Sequence, residues 1–226
     1  MPPTYPRGPR VLKGALVTFA PDTSVGNVIT FQYNPSTLTR SLTPQYIGGE
    51  KSDQAENVRF TGAPAESINL TIQVDAVDQL EQGKGTASSS GIHAELAALE
   101  LLTAPTVNQA KTTLSKLSAG TLEIIPEVAP LTVFIFGGNR IVPVKVKQVS
   151  ITEEAHDAAL NPIRAQLTLS MDVLTYSNQP PDSQGSRLYM RYQSRKADLA
   201  KSAISNKMLS PQTIEPSDIV DASESL

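Results

Sequence analysis

The decapeptide ESINLTIQVD, residues 66–75, alternates its side chains with a period of two. Ile68, Leu70, Ile72 and Val74 fall in one row, Asn69, Thr71 and Gln73 fall in the other, and Asp75 continues the polar row. A chain with that period forms a β-strand that is buried on one face and wet on the other. Residues 163–174 repeat the pattern, with Ala165, Leu167, Leu169, Met171 and Val173 predicted inward and Gln166, Thr168, Ser170 and Asp172 outward. Strands wet on one face belong to antiparallel sheets, so these two segments set the fold class as mainly β.

The flanking segments extend the sheet. Residues 12–19 and 25–33 read as a hairpin around Ala20, Pro21, Asp22, Thr23 and Ser24, with the proline and aspartate that turns favour. Residues 131–136 and 140–151 form a second hairpin across Gly137, Gly138 and Asn139, which can adopt the positive φ of tight turns. In its return strand Val142, Val144 and Val146 share one parity while Val149 and Ile151 share the other. That change predicts a bulge near Lys147 and Gln148. Ile92, Leu96 and Leu99 recur at helical spacing ahead of a stop at Ala104 and Pro105, and Val107, Ala110, Leu114 and Leu117 mark a second short amphipathic segment.

The organisation expected is therefore in three parts. Residues 1–10 hold four prolines and form an extended arm. Residues 11–176 form an antiparallel β-barrel or sandwich of roughly six to eight strands with one packed helix, an α+β domain that is mainly β. Residues 177–226 open with SNQPPDSQGS and form a linker and C-terminal tail.

Composition removes several classes of function. The 226 residues are 39% hydrophobic but only 5% aromatic, with no tryptophan, so an aliphatic core is expected. Net charge is −3 and the 19 Lys and Arg are scattered, which lacks the basic footprint of a nucleic-acid binder. The absence of cysteine excludes disulfides, thiolate metal sites and cysteine nucleophiles. No apolar run approaches the roughly 18 residues of a membrane span, and the first residues lack the hydrophobic region of a signal peptide, so the expected location is the cytoplasm unless a dedicated machine exports the chain.

Residues that carry chemistry are sparse. His93 and His156 are the two histidines, and neither stands in a metal-ligand spacing or beside a nucleophile pattern. Glu153, Glu154 and Asp157 cluster after a strand, but without the alternating oxygen ligands of a calcium loop they read as solvated carboxylates. Gly137 and Gly138 lack a following Lys-Ser/Thr and are a turn, not a phosphate loop. Arg187, Arg191, Arg195, Lys196 and Lys201 form a basic run that reads either as a dock for an acidic partner or as a solvated helix face. The expectation is no catalytic residue, no metal and no cofactor.

A blunt join remains. In FQYNPSTLTRS, residues 31–41, a strand-like alternation through Ile29, Phe31 and Tyr33 runs into Asn34 and Pro35 and stops, because Pro35 cannot donate to a ladder and forces Asn34 out of the α region. Taken in order, FQYNPSTLTRSLTPQ, ESINLTIQVDAV, a helix ending in LELL, PLTVFIFG and VPVKVKQVSITEEAHDAALNPIRAQLTLSMDVL resemble the tube-domain proteins of contractile injection systems, the phage-tail-like machines, over about residues 11–176. The matching subgroup is the baseplate tube-adaptor or tube-initiator proteins. Many of those end in a LysM module, whose Gly-Asp-Thr-Leu pattern this chain lacks.

The resemblance implies a tail-tube-type β-barrel and a non-enzymatic structural role: a homo-hexameric ring at the base of the inner tube, joining tube to spike hub and baseplate, in a phage-tail-like particle. Its partners would be the inner-tube protein, the spike or hub protein and baseplate components. Asn69, Thr71, Gln73, Gln166, Thr168 and Ser170 would face the lumen, and Phe31, Tyr33, Asn34 and Pro35 would mark a subunit contact. The rivals are the main stacked inner-tube subunit and, from another class, a monomeric ligand-binding β-barrel.

Overall fold

The computed structural model describes residues 12–20, 24–47, 58–77, 90–120 and 128–205. The expected arm over 1–10, the tip of the first hairpin and the end of the tail beyond 205 lie outside the described residues. The strands are β1 (Ala15–Phe19), β2 (Val25–Thr30), β3 (Leu38–Thr43), β4 (Tyr46–Ile47), β5 (Arg59–Phe60), β6 (Ala65–Asp75), β7 (Leu131–Ile135), β8 (Ile141–His156) and β9 (Pro162–Val173). The helices are α1 (His93–Glu100, followed by a 3-10 turn Leu101–Thr103), α2 (Val107–Ser118) and α3 (Gln184–Ser205). No helix among the described residues is long and apolar enough to cross a membrane.

Seven strands form one antiparallel sheet in the order β2-β1-β7-β8-β9-β6-β3, and β4 pairs with β5 in a separate two-stranded ribbon. The two strands with the cleanest alternation, β6 and β9, lie side by side. Their register runs unbroken from Ser67 opposite Asp172 to Asp75 opposite Arg164, so the apolar rows of both strands share one face. Ile68, Leu70, Ile72, Leu167, Leu169 and Met171 are all buried there. Each such side chain contributes about 1.5–3 kcal/mol of burial. Both expected hairpins form, as β1 with β2 and β7 with β8. Gly137 has φ +73° at the second turn. The bulge is where the parity change places it: Val146 pairs with Met171 and Gln148 with Ser170, leaving Lys147 as the extra residue.

The sheet is open but strongly curled. In a flat sheet β2 and β6 would lie about 24 Å apart, five spacings of about 4.8 Å. Gln32 stands two residues past the end of β2, at most about 7 Å of chain, yet its side-chain amide is hydrogen-bonded to Asp75 at the end of β6. The interior of the curl is filled by the apolar faces together with Leu16, Phe31 and Phe134. α1 adds Ile92, Leu96 and Leu99 to the same core. Its start is held where the Ile92 N–H donates to the Pro162 carbonyl at 2.9 Å, and Gly91, with φ +56°, allows the close approach.

The C-terminal part of the chain differs from expectation. Residues 184–203 were read as part of a tail separate from the core, but α3 docks on it, and Tyr189 and Tyr192 are 0% and 5% exposed and belong to the core cluster. The Tyr189 ring lies tilted against Tyr176, 6.0 Å between centroids, and meets Tyr192 edge to face at 6.5 Å. Without α3 the apolar face near β3 would lie open to water, so this helix is part of the domain. α2 forms where the second amphipathic segment was expected, capped by Thr106 and Gln109 in a reciprocal capping box, and none of its residues is buried.

Candidate functional site

The outer face of the sheet, opposite the core, carries the polar rows of β6, β9 and β8. Register places Asn69 opposite Ser170, Thr71 opposite Thr168 and Gln73 opposite Gln166. All six residues expected to act together therefore share one solvent-accessible face as three cross-strand pairs. β8 continues each row with Gln148, Ser150 and Thr152, and Thr39 of β3 stands next to Asn69. The result is a three-by-three array of uncharged amides and hydroxyls, about 10 by 14 Å from strand spacing and rise. The Thr71 and Thr168 hydroxyls lie 3.3 Å apart. At the ends of the array Arg164 pairs with Asp75 at 2.7 Å, and Asp172 stands opposite Lys145. The β8 members were legible in the sequence, since the bulge returns Gln148, Ser150 and Thr152 to the polar row.

The blunt join at FQYNP is a corner with four separate side-chain placements. The Phe31 ring is in the chain's own core, 2% exposed, 6.3 Å from Phe134, so it is not available to a neighbouring subunit. The strand ends at Thr30, and the Phe31 N–H donates to the Gly14 carbonyl at 2.8 Å. Asn34 turns back on the segment before β1, accepting from the Gly14 N–H and donating to the Leu12 carbonyl, each at 2.8 Å. Tyr33 is exposed, and Pro35 is half-buried. Of the four residues expected at a subunit contact, Tyr33 is thus the one whose ring is left to solvent.

The second Asn-Pro pair, Asn161 and Pro162, stands at the β8–β9 turn, with Pro162 the first residue of β9. Asp157 accepts from the backbone N–H of Ala159 and Asn161 and from the Asn161 side chain, at 2.7–2.8 Å. The Asn161 side chain, with the backbone N–H groups, holds the Asp157 carboxyl below its ordinary range. His156 is the last residue of β8 and pairs with Glu153 at 2.9 Å. The sequence cluster of Glu153, Glu154 and Asp157 is thus partly committed to local partners, Glu153 to His156 and Asp157 to the turn. His93 is exposed at the first position of α1.

One charged constellation escaped sequence reasoning. Glu66 is buried at the foot of β6, and its Oε1 accepts from Arg40 Nε and Nη2 at 2.8 and 2.6 Å and from the Tyr192 hydroxyl at 3.1 Å. Arg40 Nη2 also donates to the Tyr192 hydroxyl at 2.9 Å. Lys196 lies over the Tyr192 ring, 4.3 Å from its centroid, with Nζ 3.6 Å from Glu66 Oε2. Burial, reinforced by the Glu66 charge, pushes the Tyr192 phenol up to about 12, and burial lowers the Lys196 ammonium. The four groups clamp α3 to the sheet. Lys196 and Arg195, whose Nε donates to Asn139 Oδ1 at 3.0 Å, are thereby withdrawn from the basic run. Close to the clamp, a cleft of about 260 Å³ opens between Ser41, Thr43, Ser67, Asp172 and Asn178.

Compared with known proteins, the chain matches no family model, and no curated protein resembles it at a significant level.

Proposed function

We propose that this chain is a non-enzymatic structural subunit of a contractile injection system or related phage tail. Six copies would form a ring at the base of the inner tube and join it to the spike hub and baseplate. The reading rests on the sequence resemblance, and the observation that carries it is the uncharged three-by-three array on β8, β9 and β6. Copies presenting that face inward would wall a water-filled channel whose middle carries no fixed charge. The sheet ends on β2 and β3, whose outer edges offer the unpaired N–H and C=O groups that neighbouring copies would satisfy. A ligand-binding β-barrel has less support, because the sheet is open and its apolar side is filled by the chain's own core.

Two substitutions one residue apart test the reading. Leu70→Asp places an unpaired carboxylate in the core, costs several kcal/mol and unfolds the monomer. Thr71→Asp leaves the monomer folded but repeats a negative charge around the ring, so assembly weakens at low salt and recovers at high salt. Thermal melting and particle imaging separate the two effects. Normal assembly of Thr71→Asp at low salt would remove that residue from the lumen. Labelling of this chain along the whole shaft, rather than at its base, would make it the main tube subunit instead.

A further inference from the structure

At the Asp172 end of the polar array lies the cleft of about 260 Å³. Register places Ser41 opposite Ser67 and Ser67 opposite Asp172, so β3, β6 and β9 each give it one polar side chain from a single cross-strand row. Gln45, just past β3, and Thr175, Ser177 and Asn178, just past β9, supply further lining. Backbone contacts hold these segments in place. The Thr61 N–H donates to the Gln45 carbonyl at 3.0 Å, and the Leu174 N–H donates to the Pro143 carbonyl at 2.9 Å. Gly62 stands so close to Ser177 that a Cβ on it would lie 3.0 Å from the Ser177 hydroxyl oxygen. Elsewhere on this face side chains find partners in the chain, as Arg164 does in Asp75 and Thr71 in Thr168. Asp172 differs. Its carboxylate is half-buried, yet among the described residues it has no hydrogen bond or ion pair, its cross-strand neighbour Lys145 included. The Ser41 and Ser67 hydroxyls are likewise uncommitted among the described residues.

We infer that this cleft binds a small cationic N–H donor, a guanidinium or primary ammonium group, on Asp172. A carboxylate partly withdrawn from water loses hydration that a counter-charge and hydrogen-bond donors restore. Glu66 also borders the cleft, but its carboxylate is engaged by Arg40 and Tyr192. One uncompensated negative charge is therefore left, among neutral hydroxyls and amides that can accept. A guanidinium carries five N–H donors in a planar fork and an ammonium three, so either meets the carboxylate and several neighbouring oxygens at once. Calcium fits the set less well, because it takes about six to eight oxygen ligands and a single carboxylate is free here. The cleft is built within one copy, so the inference does not depend on the ring. The same cationic group is carried by a free solute or by an arginine or lysine of a partner protein, and the experiment separates the two.

Full-length chain is titrated with ethylguanidinium chloride, with a blocked Gly-Arg-Gly peptide and with calcium chloride, and the backbone amide shifts of β3, β6 and β9 are followed by NMR. The expected result is saturable binding of the two guanidinium probes, one per chain, with shifts centred on Ser67 and Asp172. Asp172→Asn should weaken it at least about tenfold, as loss of a charged hydrogen-bond partner does, with the melting midpoint held or raised. Asp198→Asn, at an exposed position of α3, should leave binding unchanged. Peptide binding tighter than that of ethylguanidinium assigns the cation to a partner protein, and binding no tighter assigns it to a free solute. The absence of a saturable shift with either guanidinium probe, saturation by calcium alone, or equal weakening by Asp198→Asn would each overturn the inference. So would a lowered melting midpoint in Asp172→Asn, which would give that carboxylate a structural partner.

Discussion

The side-chain amide of Gln32 accepts from the Asp75 N–H at 2.8 Å and donates to the Asp75 carbonyl at 2.7 Å, making the two hydrogen bonds that a neighbouring strand would make. It thereby holds the segment after β2 against the end of β6 and keeps the sheet curled. Gln32→Ala frees two partly buried backbone groups and is expected to cost about 1–3 kcal/mol. Gln32→Glu keeps the acceptor but turns a charge toward a carbonyl, and should be at least as damaging at neutral pH and milder in acid. Urea titration and hydrogen exchange at the Asp75 amide read both. An unchanged exchange rate in Gln32→Ala would show that the curl is held elsewhere.

The Glu66 clamp should dominate the stability of the α3 side. Glu66→Gln leaves Arg40 without its counter-charge, and because the Arg40 side chain is 25% exposed, the expected loss is about 3 kcal/mol, the low end for breaking a buried pair. Ending the chain at Ser177 removes Tyr189 and Tyr192 from the core and should abolish the cooperative thermal transition. A truncated chain that melts cooperatively near the full-length midpoint would show that α3 adds little.

Tyr192 also sets an alkaline limit. Its folded-state value of about 12 exceeds the unfolded value of about 10. The neutral phenol therefore contributes stability that is whole below pH of about 10 and is lost as pH rises through about 12, on the order of 2 kcal/mol in all. Lys196, lowered by burial, acts with the opposite sign just below its unfolded value and blunts the onset. Tyr192→Phe should flatten the loss of stability between those limits, followed by denaturant midpoints across pH and by tyrosinate absorbance at 295 nm. An equal alkaline loss in the variant would assign it to other groups.

Gly91 should tolerate no side chain. A Cβ there would lie 2.1 Å from the Pro162 carbonyl oxygen at φ +56°. Gly91→Ala must break the Ile92–Pro162 hydrogen bond and shift the start of α1, with an expected loss of about 2–4 kcal/mol. A melting midpoint within a degree of wild type would contradict that packing.

The bulge in β8 predicts opposite outcomes for two deletions. Removing Lys147 leaves Val146, Gln148 and Val149 alternating in and out, so every later residue keeps its face, and the loss should stay near about 1 kcal/mol. Removing Ser150 sends Ile151 to the polar face and Thr152 to the core, which should unfold the domain. Equal tolerance of both would mean that β8 can slip along β9.

The strands β1, β2 and β6 to β9, the faces of β6 and β9, both hairpins, the bulge, α1 and α2 were legible in the sequence, because each depends on local periodicity or on turn chemistry that a few adjacent residues carry. β3 was not read as a strand, because Arg40 interrupts the apolar row of Leu38 and Leu42. That arginine is acceptable on the inner face only through Glu66, a partner 26 residues away. The docking of α3 was hidden for a similar reason: a segment rich in Arg and Lys looks solvated until Tyr189 and Tyr192 meet a sheet face left open by distant strands. The polar array was half visible, since alternation shows which residues share a strand face but not which strands are neighbours. Long-range pairing sets strand order, the curl held by Gln32 and the clamp at Glu66, and no local window of sequence contains the two partners whose contact creates each of them.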